Sequence, residues 1–180
     1  MLRKLFGNRP LKVGVFGSAF NPPTLGHKTV IERASKDYDQ VWIIPSASHA
    51  FGKVMLPLSM RVEMCQAFVN DLNIPNVRLV NCEEQVSDGV VYTIDLLDFL
   101  QAKHPDRKFE FLCGADNVEL FSSFHKYNEI TERHGMKGYS VEKDIRSTKV
   151  RNSIEASTPD WMSMVSKGVE KVILENELYQ

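Results

Sequence analysis

A chain of 180 residues can bury a sizeable core as one domain, and 43% hydrophobic with 25% charged residues is the make-up of an ordinary soluble globular protein. The formal net charge of -1 excludes the global basic field that draws in nucleic acid. Cys65, Cys82 and Cys113 are too far apart for a Cys-x-x-Cys, which excludes a disulfide framework or zinc knuckle and fits a reducing compartment.

The chain starts basic and apolar at Met1 to Phe6, but Gly7, Asn8, Arg9 and Pro10 follow where a secretory signal would continue its apolar run. No stretch approaches the roughly 20 apolar residues that span a bilayer, so a cytoplasmic protein without membrane attachment is expected. The first β-prone run is 12–16, followed by a helical stretch at 26–37. The second is 40–44, followed by a helix at 58–71 with Met60, Met64, Ala67 and Phe68 on one face. The third, 76–81, leads through a loop to a helix at 92–103 carrying Ile94, Leu97 and Leu100. The fourth, 108–113, precedes helices at 117–124 and 128–133. A short fifth strand is expected at 137–141, a helix from Ser147, and another from Thr158-Pro159, which Gly168 interrupts before a last segment at 169–178. Strands alternating with helices predict an α/β fold. It is a Rossmann-like, doubly wound parallel sheet of about five strands with flanking helices, in one domain over 1–180.

Ligands of open parallel sheets bind at the carboxyl ends of the strands. Those ends carry Gly17-Ser18-Ala19-Phe20-Asn21, then Pro45-Ser46-Ala47-Ser48-His49 with Gly52-Lys53, then Glu83-Glu84, then Gly114-Ala115-Asp116. In the first loop, Gly26 and His27 fall where the next helix begins, and a helix N-terminus with free N–H groups favours phosphate. On physical grounds alone the segment reads equally as a proline-rich turn with an exposed histidine. No Gly-Lys-Ser/Thr follows it, so it is not a Walker loop, and the absence of Gly-x-Gly-x-x-Gly argues against a dehydrogenase. His104, His125 and His134 show no partner pattern and are expected on the surface.

Gly17-Ser18-x-Phe20-Asn21-Pro22 followed by Thr24-Leu25-Gly26-His27 resembles the (H/T)xGH motif of the nucleotidylyltransferase superfamily. Within it, the segment is similar to the nicotinate and nicotinamide mononucleotide adenylyltransferases. Thr24 stands where that branch usually has histidine, and threonine is found there in phosphopantetheine adenylyltransferases. Ile145-Arg146-Ser147-Thr148-Lys149-Val150-Arg151 resembles the family's second motif, with Arg146 in place of its first serine. Gly114-Ala115-Asp116-Asn117, Tyr92-Thr93-Ile94-Asp95 and the Leu178-Tyr179 ending also match, and Phe124 stands where the family has a stacking tryptophan. The span 125–146 is shorter than the family's.

The resemblance implies adenylyl transfer from ATP to a pyridine mononucleotide, with Mg²⁺ accompanying ATP. A homo-oligomer is compatible with it. It assigns Ser18, Thr24 and His27 to the reacting phosphates. Gly17, Phe20, Gly26, Lys53, Ser147, Thr148 and Arg151 go to ATP and its phosphates, Ser147 or Thr148 capping the helix and Arg151 gripping from its first turn. Gly114, Asp116, Tyr92, Thr93 and Phe124 go to ribose or the pyridine, Thr93 also as a helix cap. The alternatives on the same residues are another phosphorylated acceptor, such as phosphopantetheine, and a nucleotide sensor without catalysis.

Overall fold

The strands β1 (Leu11–Ser18), β2 (Gln40–Pro45), β3 (Val77–Leu79), β4 (Arg107–Gly114) and β5 (Met136–Tyr139) form one sheet in the order β3-β2-β1-β4-β5. Every neighbouring pair is parallel, β1 running against β2 from Val13↔Gln40 and against β4 from Leu11↔Arg107. The computed structural model describes residues 9–48, 54–140 and 145–180, and of 115–117 the main chain alone. No helix among the described residues is long and apolar enough to cross a membrane.

The period of two along each strand divides the core. Val13 and Val15, Trp42 and Ile44, Phe109, Phe111 and Cys113 face one side, while Phe16, Val41, Ile43 and Leu112 face the other. The first side is covered by α3 (Thr93–Lys103), which buries Ile94, Leu97 and Leu100, and by α5 (Tyr127–Arg133) through Ile130. The second is covered by α1 (Leu25–Asp37), α2 (Leu58–Leu72) and α7 (Lys167–Glu175). α1 buries Val30, Ile31 and Ala34, and α2 buries Met64, Cys65 and Phe68, the spacing that puts one helix face on a sheet. Asn73 ends α2 in the left-handed conformation at φ 49. Burial on both faces explains why β2 is continuously apolar from Val41 to Ile44 rather than alternating.

The differences from the sequence expectation have local causes. β3 is shorter than 76–81, and β5 starts one residue earlier than expected and ends at Tyr139, with 141–144 outside the described residues. The helix expected at 117–124 is α4 (Ala115–Leu120), which tightens into a 3₁₀ turn at Phe121–Ser123. There Ser123 Oγ donates to the Leu120 carbonyl (2.6 Å), competing for a main-chain acceptor. Thr158-Pro159 opens a 3₁₀ turn, Pro159–Ser163, because the Thr158 hydroxyl bonds Ser153 instead of capping. Gly168 does not interrupt a helix but sits in the first turn of α7. A Cβ there would lie 2.8 Å from Asp71 Oδ2, which accepts the Gly168 N–H at 2.6 Å. The glycine marks close packing of α7 on α2.

Candidate active site

β1 delivers its chain to the carboxyl edge at Ser18, and the Ser18 carbonyl accepts the Ser46 N–H (2.9 Å) from the end of β2. The loop then turns through Phe20, whose backbone is left-handed at φ 45. The Phe20 ring is wholly buried, 5.7 Å from Phe16 and 4.9 Å from His27. It packs on the imidazole and so helps to hold His27 in place.

Thr24 is the N-cap of α1 and is fully buried. His27 stands at the third helical position, where its Nδ1 accepts the Thr24 N–H at 3.0 Å. The Thr24 hydroxyl donates to the Ile145 carbonyl (3.1 Å) and lies 2.9 Å from the same Nδ1. With Nδ1 an acceptor, the proton of the neutral ring sits on Nε2, an assignment made from the hydrogen-bond network. Nε2 lies 3.5 Å from Ser18 Oγ, at the limit of hydrogen bonding. The imidazole thus offers an N–H donor at the sheet's carboxyl edge, beside a hydroxyl.

The second motif joins the first across the chain. α6 (Ser147–Glu155) has Arg146 as N-cap. Ser147 does not cap it: its hydroxyl donates to the Pro22 carbonyl at 2.7 Å. Arg151, on the second turn, donates to the Asn21 carbonyl (2.6 Å) and to Thr148 Oγ1 (3.2 Å). Gly26 packs so close that a Cβ would lie 2.4 Å from the Ile145 oxygen. The N-termini of α1 and α6 are therefore held against one another. The Leu25 N–H at the start of α1 is taken by the Met164 carbonyl (2.9 Å), so α1 offers a phosphate its partial positive charge and the His27 donor, beside the N-terminus of α6.

Gly17 and Gly114 lie at the ends of β1 and β4, and Gly114 caps α4. Asp116 lies in α4, its side chain outside the described residues, as are His49 and Lys53 entirely. Tyr92, not Thr93, is the N-cap of α3, and Thr93 is its first residue. The exposed Tyr92 ring lies 4.3 Å from that of His125. Phe124 packs on Phe111 and Phe121, with ring centroids 5.8 and 5.2 Å away. Its ring belongs to the aromatic layer over β4, and the exposed aromatic surface beside it is Tyr92 with His125. His134 corrects another expectation. Its side chain is 4% exposed, with Nε2 2.8 Å from Asp98 Oδ1, and is not on the surface.

Three residues that carry weight here received no role from the sequence. Asn21 is buried, and its Oδ1 accepts from Tyr179 Oη (2.9 Å) and Leu56 N (3.4 Å), so the Leu-Tyr ending is tied to the first motif. Arg61 is 1% exposed and donates to the carbonyls of Leu56 (2.9 Å) and Ala19 (2.8 Å). Its signal was visible: Arg61 shares the apolar stripe of Met64, Cys65 and Phe68. Glu83 is 4% exposed, and Oε2 accepts the Ala47 N–H at 2.7 Å.

Burial pushes the Glu83 carboxyl up to about 7 from an ordinary value near 4.5, against the opposing pull of the Ala47 N–H and the Arg61 charge. Between those values the unfolded chain is ionised and the folded one protonated. This group's contribution to stability is therefore complete below about 4.5 and is lost as pH rises through about 7. Glu83→Gln should remove that loss. The unfolding free energy of the variant relative to wild type, followed by denaturant titration, should rise between pH 5 and pH 8, by on the order of 3 kcal/mol at most. A difference that does not change with pH would contradict the buried, neutral carboxyl.

Burial also raises the thiols, Cys82 to about 11 and Cys65 further, so neither is a nucleophile. A cavity of about 320 Å³ at the opposite end of β1 and β4 is lined by Arg9, Lys12 and Glu110, among others. Arg9 is paired with Asp39 and Lys12 with Glu110, so those cations already have carboxylate partners.

Comparison with known proteins agrees with this geometry. Residues 15–158 match the cytidylyltransferase-like family. A relative from Bacillus pumilus, named as a nicotinate-nucleotide adenylyltransferase, is 30% identical over 191 aligned residues, covering 94% of this chain and 98% of its own. A relative of the same name from Salinibacter ruber is 35% identical over 127 residues, and there the match spans 68% of this chain and 64% of the relative. A crystal structure from Vibrio parahaemolyticus, named for the same enzyme, superposes with a TM-score of 0.83 at 34% identity, covering 94% of this chain and 95% of that one.

Proposed function

We propose, from the premise that the chain belongs to the cytidylyltransferase-like family, that it joins ATP to nicotinate mononucleotide, forming the dinucleotide and pyrophosphate on the way to NAD. The observation that carries this reading is the meeting of the two motif segments, Thr24 and Gly26 against Ile145 and Asn21 against Arg151. It sets the His27 donor beside the N-terminus of α6 at the carboxyl edge of the sheet. The acceptor follows the names of the relatives above, aligned with this chain nearly end to end in one case.

The chemistry asks for no protein nucleophile. A phosphate oxygen of the mononucleotide, ionised at neutral pH, bonds to the α-phosphorus of ATP as the bond from that phosphorus to the β-bridging oxygen breaks. The electron pair leaves with pyrophosphate. Catalysis then consists of aligning two anions and stabilising charge as it spreads. Ser18 and His27 Nε2–H donate to the reacting phosphate. Thr24 holds the ring and its tautomer. Ser147, Thr148, Arg151 and the N–H groups of α6 receive the departing pyrophosphate. Gly26 leaves room for the Ile145 carbonyl and so for the approach of the two motifs, and Gly17, Gly26 and Lys53 are assigned with them to the phosphates of ATP. Gly114, Asp116, Tyr92, Thr93 and Phe124 line the ribose and pyridine side. The donor set is hydroxyl, imidazole and guanidinium, and among the described residues no group of three or more His, Cys, Asp or Glu side chains gathers to hold a metal. Such a set fits phosphate, and Mg²⁺ enters with ATP as part of the substrate. The buried free cysteines fit work in the reducing cytoplasm.

The test is pyrophosphate release from ATP and Mg²⁺ with nicotinate mononucleotide, nicotinamide mononucleotide and phosphopantetheine in parallel. Release with nicotinate mononucleotide is expected. Release with phosphopantetheine alone would replace the acceptor. No release with any acceptor, while ATP still raises the melting temperature, would make the protein a sensor.

A further inference from the structure

We infer that Glu83 is a positioning residue of the transfer reaction, a buried carboxyl that fixes the turn after β2 and, through it, the Ser18 end of β1. The inference rests on the reading above, in which Ser18 and His27 face the reacting phosphate. A charged residue type is almost never fully buried without a purpose for its polar atoms. Glu83 is 4% exposed and sits in the 3₁₀ turn that follows β3. Its Oε2 reaches over the edge of the sheet to accept the Ala47 N–H at 2.7 Å, a charge-assisted bond when the group is ionised. The next N–H back along the chain, that of Ser46, donates to the Ser18 carbonyl at 2.9 Å. One carboxyl, two successive amides and the Ser18 carbonyl therefore form a brace across the ends of β3, β2 and β1.

The brace has a second member. Arg61, a buried cation on α2, donates to the carbonyls of Ala19 and Leu56. Leu56 lies where the chain enters α2 and Ala19 just past Ser18. Glu83 secures the exit of β2 and Arg61 secures the return into α2, both against the first motif. Neither side chain reaches a reacting atom by this geometry. Their effect is transmitted by main-chain bonds, and a misplacement of a reacting group by about 1 Å costs roughly a hundredfold in rate.

A group that only holds the fold together would lower the melting temperature without altering the kinetics of the folded enzyme. A positioning residue predicts a split instead, because Ser18 alignment matters most as charge develops. Glu83→Ala should lower kcat for pyrophosphate release by about 10- to 100-fold with the KM values for ATP and nicotinate mononucleotide within about threefold. Glu83→Gln, which keeps an oxygen acceptor for Ala47, should stay within about threefold of wild type. Glu83→Asp, one methylene too short, should lose at least about tenfold. If Glu83→Ala does not fold, the Gln and Asp variants decide. A folded Glu83→Ala enzyme with unchanged kcat, or a Gln variant as slow as the Ala one, would overturn the inference. Wild-type protein is assayed first with all three acceptors. Silence there overturns the proposed reaction itself, whereas an active wild type with indifferent Glu83 variants overturns only the role of Glu83.

Discussion

His27→Ala should lower kcat for pyrophosphate release by at least about a hundredfold and leave the protein folded. Removing one donor aimed at developing charge in a water-poor site raises the barrier by roughly 3–4 kcal/mol, a factor of hundreds. The His27 ring is placed for that role from several directions. Phe20 packs on it at 4.9 Å, and the Thr24 N–H occupies Nδ1 at 3.0 Å, so the donor that remains is Nε2 beside Ser18. The cost to the fold is smaller. The variant leaves the Thr24 N–H without its side-chain acceptor at the start of α1, a capping loss of about 1 kcal/mol. For a chain of this size that corresponds to roughly 2–4 °C in melting temperature. The two readouts therefore separate: a large fall in kcat with a small fall in Tm. A folded variant that turns over at the wild-type rate would remove His27 from the chemistry.

How much of this was legible in the sequence differs with the kind of statement. The parallel sheet was legible because apolar runs such as Val13–Phe16 and Val41–Ile44 are buried on both faces, and such burial leaves a continuous pattern. The neighbourhood of the site was legible because ligands gather at the carboxyl ends of such strands, where the polar turns lie. Side-chain direction was not. Ser147 reads as a cap because serine favours that place, yet its hydroxyl is taken by the Pro22 carbonyl from a segment distant in sequence. Phe124 has the position of a stacking ring, and the sequence did not show that this ring also joins an aromatic layer with Phe111 and Phe121. Glu83 was visible as an acidic residue at the right edge. Its burial was not, since nothing local shows that the Ala47 N–H, from the end of another strand, bonds to it. His134 failed as a surface histidine for the same reason: its partner Asp98 lies on another helix. Tertiary partners decide these cases, and a single sequence does not state them.

Gly26→Ala is expected to cost both activity and stability, although helix propensity alone favours the change. In a helix interior alanine is better than glycine by up to about 1 kcal/mol, and less at a helix start. Against that stands a contact with no room in it. The added Cβ would lie 2.4 Å from the Ile145 oxygen and 3.4 Å from its carbon, both main-chain atoms that cannot rotate away. The same oxygen accepts the Thr24 hydroxyl, so Thr24 holds the segment close on the side where the methyl pushes. Relief requires the chain at Ile145 to move, and Ser147 and Arg151 move with it relative to Pro22, Asn21 and His27. Overpacking of this kind costs about 1–3 kcal/mol of stability. The kinetic cost is larger in proportion, because parting the two helix N-termini separates the group that activates the reacting phosphate from those that take the pyrophosphate. A shift of about 1 Å is enough for a hundredfold loss in kcat. The measurement is kcat and Tm on the same preparation. A Gly26→Ala enzyme as stable and as fast as wild type would mean that the close approach of α1 to Ile145 is not what aligns the two motifs.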